Sequence, residues 1–208
     1  MKIDRIFYIN FDHHIDKRKK IEEELEKMDI IPYNNINNIN NTNLVYERFS
    51  AIEDDTVNRG NLKSHAAIVK LAKERGYSNI IILEDDFMFS VSKKEFYKEL
   101  ENLQGIYMDV CLLSSNIISY NISNCNNNVF RVFRSQNTTG YLIHCSYIDV
   151  LIKRYESAII YNEHVNNSKL FDIDIVWNIL QSTDPWYVLK NMIGQQRPKY
   201  NSSENLYI

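Results

Sequence analysis

The chain has 208 residues, 44% of them hydrophobic and 25% charged, enough to bury one sizeable core and short for two ordinary domains. With 24 Lys plus Arg against 27 Asp plus Glu the formal net charge is -3, so the broad cationic field that a nucleic acid or an anionic lipid surface demands is missing. No apolar run reaches the roughly 18 residues that span a bilayer, Asp4 stands where a secretory signal turns apolar, and the three cysteines show no metal-binding spacing; these point to a soluble, cytoplasmic protein with reduced thiols.

Residues 3–10 (IDRIFYIN) form an apolar, β-branched and aromatic run that reads as a buried first strand. Asp16 is placed to cap a helix with Ile21, Leu25 and Met28 on one face and Lys17 to Lys20 directed elsewhere. This strand-then-helix opening is that of an α/β sheet. Residues 34–43 (NNINNINNTN) lack any core-forming period and read as a polar surface loop. A second strand is expected over 44–52. Ser64 then opens a helix whose Ile68, Leu71 and Ala72 face the sheet and whose C′ position is Gly76.

Residues 79–86 (NIIILEDD) follow at once, with apolar side chains on both alternating faces, the pattern of a central strand covered on both sides. A helix at 93–102, a buried strand at 107–115 and an Asn-rich loop at 116–128 come next. Strands at 129–134 and 138–145, a helix from Ser146 and a last helix over 170–181, with Ile173, Val176, Trp177 and Leu180 on one side, complete a single α/β domain spanning 1–208.

The strongest local signal is Glu84-Asp85-Asp86 at the carboxyl end of the central strand, where ligands of open α/β sheets gather. On an extended backbone Glu84 and Asp86 share a side, so both carboxylates can meet one hard divalent cation, Mg²⁺ or Mn²⁺. A solvated acidic strand end fits the same spacing. Past the first strand lie Asn10, Asp12 and Arg18, the last with a planar fork suited to phosphate or base oxygens.

Four stretches, in order, resemble glycosyltransferase family 25, the group of bacterial lipooligosaccharide and collagen galactosyltransferases and related giant-virus proteins. They are FYINFDHHIDKRKKIEEEL (7–25), ERFSAI with SHAAIVKLAKERGYSNIIILEDDF (47–87), QNTTGYLIHCSYIDVLI (136–152), and DIDIVWNILQ through WYVLKNMIGQQRPKYNSSEN (172–205). Together they cover most of the chain. The resemblance implies a GT-A type fold, a Rossmann-like mixed sheet flanked by helices, with a UDP-sugar donor over the N-terminal strands. It also implies a DxD-like metal motif written here as Glu84-Asp85-Asp86. Asp86 is the better ligand, since the motif opens on the longer Glu.

By the same resemblance Asn10, Asp12, Arg18, Lys63, His65, Asp85, Gln196 and Arg197 are donor or nucleotide contacts, and Gln136, Thr138, Thr139 and Gly140 are sugar or acceptor contacts. Lys63 and His65 belong to a Gly-x-x-x-Ser-His stretch at an expected helix start, whose backbone N–H groups suit phosphate. Asp172 and Asp174 are the candidates for a general base that takes the acceptor hydroxyl's proton in an inverting displacement. If a helix starts here, Asp172 is its cap and Asp174 the functional acid. The expected activity is transfer of galactose or glucose from a UDP-sugar, with Mn²⁺ or Mg²⁺, to a hydroxyl of a glycan or glycoprotein. A non-catalytic nucleotide-sugar or glycan-binding module and a metal-dependent nucleotidyltransferase are the alternatives.

Overall fold

The computed structural model describes residues 1–34, 44–122, 128–164, 172–198, 200–201 and 206–207. The expected loop at 34–43 falls, apart from Asn34, outside the described residues. Seven strands form one mixed sheet in the order β2-β3-β1-β4-β7-β6-β8. They are β1 (Arg5–Asn10), β2 (Ile31–Pro32), β3 (Val45–Ser50), β4 (Asn79–Glu84), β6 (Val110–Ile122), β7 (Val129–His144) and β8 (Trp186–Leu189). The helices are α1 (Ile15–Lys27), α2 (Val57–Glu74), α3 (Lys93–Asn102), α4 (Ile148–His164) and α5 (Ile173–Thr183). β5 (Phe87–Phe89) pairs antiparallel with β9 (Gly194–Gln196), and β10 (Tyr200–Asn201) with β11 (Leu206–Tyr207).

Alternation along β4 builds a core on each side of the sheet. Ile80 and Ile82 join Leu62, Val69, Tyr141, Trp177 and Trp186 under α2, α4 and α5, while Ile81 and Leu83 join Tyr8, Leu25, Phe96 and Leu142 under α1 and α3. The large polar aromatics in the first core are satisfied: Trp177 Nε1 donates to Tyr155 Oη at 2.9 Å and Trp186 Nε1 to Tyr147 Oη at 3.2 Å. β1 runs parallel to both β3 and β4. The chain leaves β1 towards β2 and β3 along one face with α1 and returns to β4 along the other with α2, so a crevice opens beyond the carboxyl ends of β1 and β4.

Several local expectations change. Helix α1 starts at Ile15, because the His14 N–H closes a turn on the Phe11 carbonyl at 3.0 Å; Asp16 sits in the first turn rather than at the cap. Helix α2 starts at Val57, seven residues before Ser64. Gly60 fits inside this helix because a Cβ would lie 2.6 Å from the Ile52 carbonyl oxygen. Ser64 is thus in mid-helix, donating to the Gly60 carbonyl at 2.8 Å and accepting the Ile52 N–H at 2.8 Å. Gly76 does hold the left-handed φ of 65° beyond the helix end.

Of the loop expected at 116–128, residues 116–122 are strand and 123–127 lie outside the described residues. β6 continues to Ile122 in a bulged hairpin with a single long β7 that spans both strands expected at 129–134 and 138–145. A hairpin arm needs no apolar alternation where it projects into water, which is why the Asn-rich stretch hides it. Cys111 is buried, and that burial pushes its thiol up to about 12. Among the described residues no helix is long and apolar enough to cross a membrane.

Gly60 gives a test with an unusual sign. Gly→Ala inside a helix ordinarily stabilises by ~1 kcal/mol, but the contact with the Ile52 carbonyl makes Gly60→Ala an overpacking change expected to cost ~1–3 kcal/mol. Urea denaturation reads it directly; a gain in stability contradicts this packing.

Candidate active site

The crevice is a cleft of about 210 Å³ whose lining includes Asn10, Lys17, Asn61, Glu84, Asp85 and Asp86, with Gln196 at its rim. β1 and β4 deliver these groups in register, Ile9 opposite Glu84. A wider groove of about 670 Å³ lies between α1 and β2. Its charged lining among the described residues is Glu22, Glu23, Glu26 and Asp29 against Lys19, a net negative surface that repels anions.

The three acids have different surroundings. Glu84 continues the α2 face of β4, and its Oε1 accepts from Thr138 Oγ1 and, weakly at 3.5 Å, from Asn61 Nδ2, with His65 Nε2 also 3.5 Å away. Burial pushes its pKa up, but His65, Thr138 and Asn61 together outweigh that and hold it below the ordinary value. Asp85 points to the α1 face, accepting from Asn10 Nδ2 at 2.9 Å and Lys17 Nζ at 3.0 Å. It ties the ends of β4 and β1 together. Asp86 lies on the turn after β4, so the shared-side argument for an extended chain does not reach it.

Asp86 Oδ2 accepts from Gln196 Nε2 at 2.9 Å, while Oδ1 is buried with no hydrogen-bond partner. Burial, and then the charge of Glu84, raise its pKa. A buried carboxylate oxygen left unpaired beside a second carboxylate suits a divalent cation. Among the described residues no group of three or more His, Cys, Asp or Glu side chains is arranged to hold a metal ion. A cation here would therefore draw its remaining ligands from water or from a ligand's own oxygens, as Mg²⁺ does with phosphates.

The β5–β9 ribbon brings the tail to this point. Phe87 pairs with Gln196, the Arg197 N–H donates to the Asp86 carbonyl at 2.7 Å, and the Phe87 ring packs on Gly140 and Gly194. A Cβ at either glycine would fall 2.5 Å or less from that ring. Gly140 therefore accommodates Phe87 rather than a sugar. Arg197 turns to Glu24, 3.5 Å away, and acts as a clasp on α1 instead of reaching the cleft.

The remaining candidates divide in the same way. Asp12 accepts from Arg48 Nη2 and Ser50 Oγ beside the end of β1, and Arg48 also donates to the Asn10 carbonyl at 3.1 Å. Arg18 pairs with Glu22 one turn along α1, at 3.0 Å, and does not line the cleft. Lys63 pairs with Asp54 at 2.8 Å. His65, fully buried in mid-helix, has no helix-terminal N–H groups around it; its Nδ1 faces Tyr141 Oη at 2.6 Å. Thr139 bonds to Asn137 Oδ1, and the Gln136 carbonyl accepts from Ser115 Oγ. Asp172 occupies the N-cap position of α5 without a side-chain cap bond, and Asp174 Oδ2 accepts the Asn137 N–H at 3.5 Å.

Lys17, Phe11 and Asn61 line the cleft without standing out in the sequence. Lys17 is one of four consecutive basic residues in the first helix, and only the turn of that helix selects it. Asn61 is hidden by the early start of α2.

Solved structures share this architecture. A glycosyltransferase involved in glycosylation of the major capsid of PBCV-1 superposes with a TM-score of 0.61 at 12% identity, over 97% of this chain and 95% of that one. A mannose-1-phosphate geranyltransferase from Thermus thermophilus gives 0.52 at 8% identity, over 95% and 75%. No protein-family model and no curated protein matches the sequence. The chain thus has the GT-A-like α/β fold of glycosyltransferases, a mixed sheet flanked by helices.

Proposed function

We propose that the protein is a glycosyltransferase of the family 25 kind that moves a hexose, galactose or glucose, from a UDP-sugar to a hydroxyl of a glycan or glycoprotein. The observation that carries this reading is the unpaired, buried Asp86 Oδ1 in a cleft at the carboxyl ends of β1 and β4. Asp86, with Glu84 beside it, would hold a Mn²⁺ or Mg²⁺ ion, which supplies positive charge to a diphosphate leaving group. Lys17 and the Asn10 amide face the same ligand, and Gln196 gives up its bond to Asp86 when the site fills.

In the proposed reaction the acceptor oxygen forms a bond to the anomeric carbon as the bond from that carbon to the diphosphate breaks. UDP departs with the bonding pair. Asp174 takes the hydroxyl proton and passes it to water. One displacement inverts the anomeric centre. Asp174 is preferred over Asp172 because its carboxylate accepts the N–H of Asn137, the residue before Thr138, which donates to Glu84, while Asp172 holds the N-cap position of α5.

A thermal-shift panel of nucleotide sugars with and without Mn²⁺ tests the reading. Stabilisation by one UDP-sugar, larger with the metal, is expected; stabilisation by nucleoside triphosphates alone would favour a nucleotidyltransferase, and binding without turnover a non-catalytic module. Lys17 is the single cation among the described lining residues, so Lys17→Ala should raise the Kd for UDP about tenfold, ~1.4 kcal/mol. In its pair with Asp85, Lys17 is half-exposed while Asp85 is buried, but Asp85 keeps its bond from Asn10 Nδ2 when the lysine is removed, so Tm should fall only slightly. An unchanged Kd by calorimetry assigns Lys17 to that pair alone.

A further inference from the structure

Beside the cleft, across Gln196, lies a second groove of about 360 Å³ that none of the expected sugar contacts lines. Its walls are Ser114, Ser115, Asn116, Asn137, Gln195 and Gln196, and no charged side chain stands among its described lining residues. The adjoining cleft, in contrast, holds three carboxylates and a lysine. Gln196 belongs to both, so a molecule in the groove lies directly next to one in the cleft.

Two backbone irregularities build the groove. β6 changes register against β7 between Leu112 and Ser114 and again between Ser114 and Asn116, and such bulges re-aim side chains beside sites. Opposite them Asn137 takes a left-handed φ of 84°, a conformation that costs a non-glycine residue ~1–3 kcal/mol and is held only where the surroundings impose it. The surroundings here are specific. Asn137 Oδ1 accepts from the Thr139 N–H at 2.8 Å and from Thr139 Oγ1, and its own N–H meets Asp174 Oδ2 at 3.5 Å. With its side-chain oxygen so engaged, the amide nitrogen is the group Asn137 has to offer as a donor.

From these features we infer that the groove is the acceptor subsite and that it takes an uncharged saccharide. This rests on the transferase reading for its role in catalysis, though not for the binding itself. Hydroxyl and amide side chains can give and accept hydrogen bonds with sugar hydroxyls in either sense. Met192, at the groove's edge, offers an apolar surface for the C–H face of a sugar ring. A uronic or sialic acid would enter without a counter-charge, next to Glu84, Asp86 and Asp174, and an unpaired charge of that kind is strongly disfavoured. The groove places a bound hydroxyl beside Asn137 and hence beside the proposed base.

Saturation-transfer NMR on the whole protein with UDP present tests this, with lactose and maltose as neutral probes and glucuronic acid as the charged one. The neutral disaccharides should give signals and glucuronate none. Gln195→Ala and Asn137→Gly, the latter keeping the left-handed backbone accessible, should each weaken neutral-sugar binding about tenfold, with thermal melts confirming the fold. Glucuronate binding as well as the neutral sugars, no saccharide signal from a protein that UDP stabilises, or signals indifferent to both substitutions would each overturn the inference. Neutral-sugar binding sensitive to both substitutions, in a protein that no UDP-sugar stabilises, would uphold the groove as a saccharide site while the transferase reading fails.

Discussion

Asp86→Asn should lower kcat/KM for sugar transfer by ~10²–10³, the loss typical when one electrostatic group aimed at developing charge is removed, while leaving Tm equal to or above that of the wild type. The two halves of this result have one cause. Asp86 is half-buried, with one carboxylate oxygen buried and unpaired and a carboxylate neighbour, and both burial and that neighbour disfavour its ionised form in the ligand-free fold. The amide removes that repulsion and can still accept from Gln196 through its carbonyl oxygen. It is a poorer ligand for a hard cation. A site that is less stable than it need be, in exchange for an activity, is the usual signature of function. Steady-state kinetics over a Mn²⁺ titration, alongside melting curves, check both. A variant with full activity removes Asp86 from the mechanism; one that is inactive only because it has unfolded assigns it to the fold.

Gly194→Ala carries the largest expected effect on stability. The added methyl would sit 2.1 Å from Phe87 Cζ and 2.2 Å from Cε2, and the same Cε2 lies 2.5 Å from where a Cβ would stand at Gly140, so the ring already packs closely on both glycines. Phe87 is fully buried, so the methyl must displace either the ring or the β5–β9 ribbon, at ~1–3 kcal/mol or somewhat more. That ribbon also supplies part of the cleft lining through Gln196, so donor affinity should fall with stability. Phe87→Leu alone should also destabilise, by loss of ring packing, but combined with Gly194→Ala it should cost less than the sum, since the two changes act on the same space. Strict additivity in denaturant titrations contradicts the proposed contact.

The parts of the fold that are legible in the sequence are those where one physical demand dominates. β4 shows apolar residues on both alternating faces because two cores flank it, and the polar switch at Glu84 marks where it leaves them. The helix end at Gly76 is legible because a left-handed residue there favours glycine. Gly60 meets a different demand, close approach to a carbonyl within a helix; α2 starts seven residues before the expected Ser64, which moves His65 from a helix start to mid-helix. Strands such as β5 and β9, three residues each, are too short to show any period, yet they bring Gln196 to Asp86.

The site is legible to a similar depth. The acidic triplet at the end of a central strand marks the cleft, since topology alone fixes where such a strand ends. Which of the three acids faces what depends on the turn after Glu84 and on partners as distant in sequence as Asn10, Thr138 and Gln196. Charged residues at plausible positions, Arg18, Lys63 and Arg197, meet acidic neighbours in the fold instead. Their charge is visible in the sequence and their partners are not.

In the proposed transferase the cleft at Asp86 holds a cation and a nucleoside diphosphate together. Anomalous diffraction from crystals grown with Mn²⁺ and UDP tests it most directly. A manganese peak bonded to Asp86, with UDP in the same cleft and Gln196 displaced from the carboxylate, is the expected result. A map in which UDP lies elsewhere, no manganese lies against Asp86 and the Gln196 bond persists would contradict it.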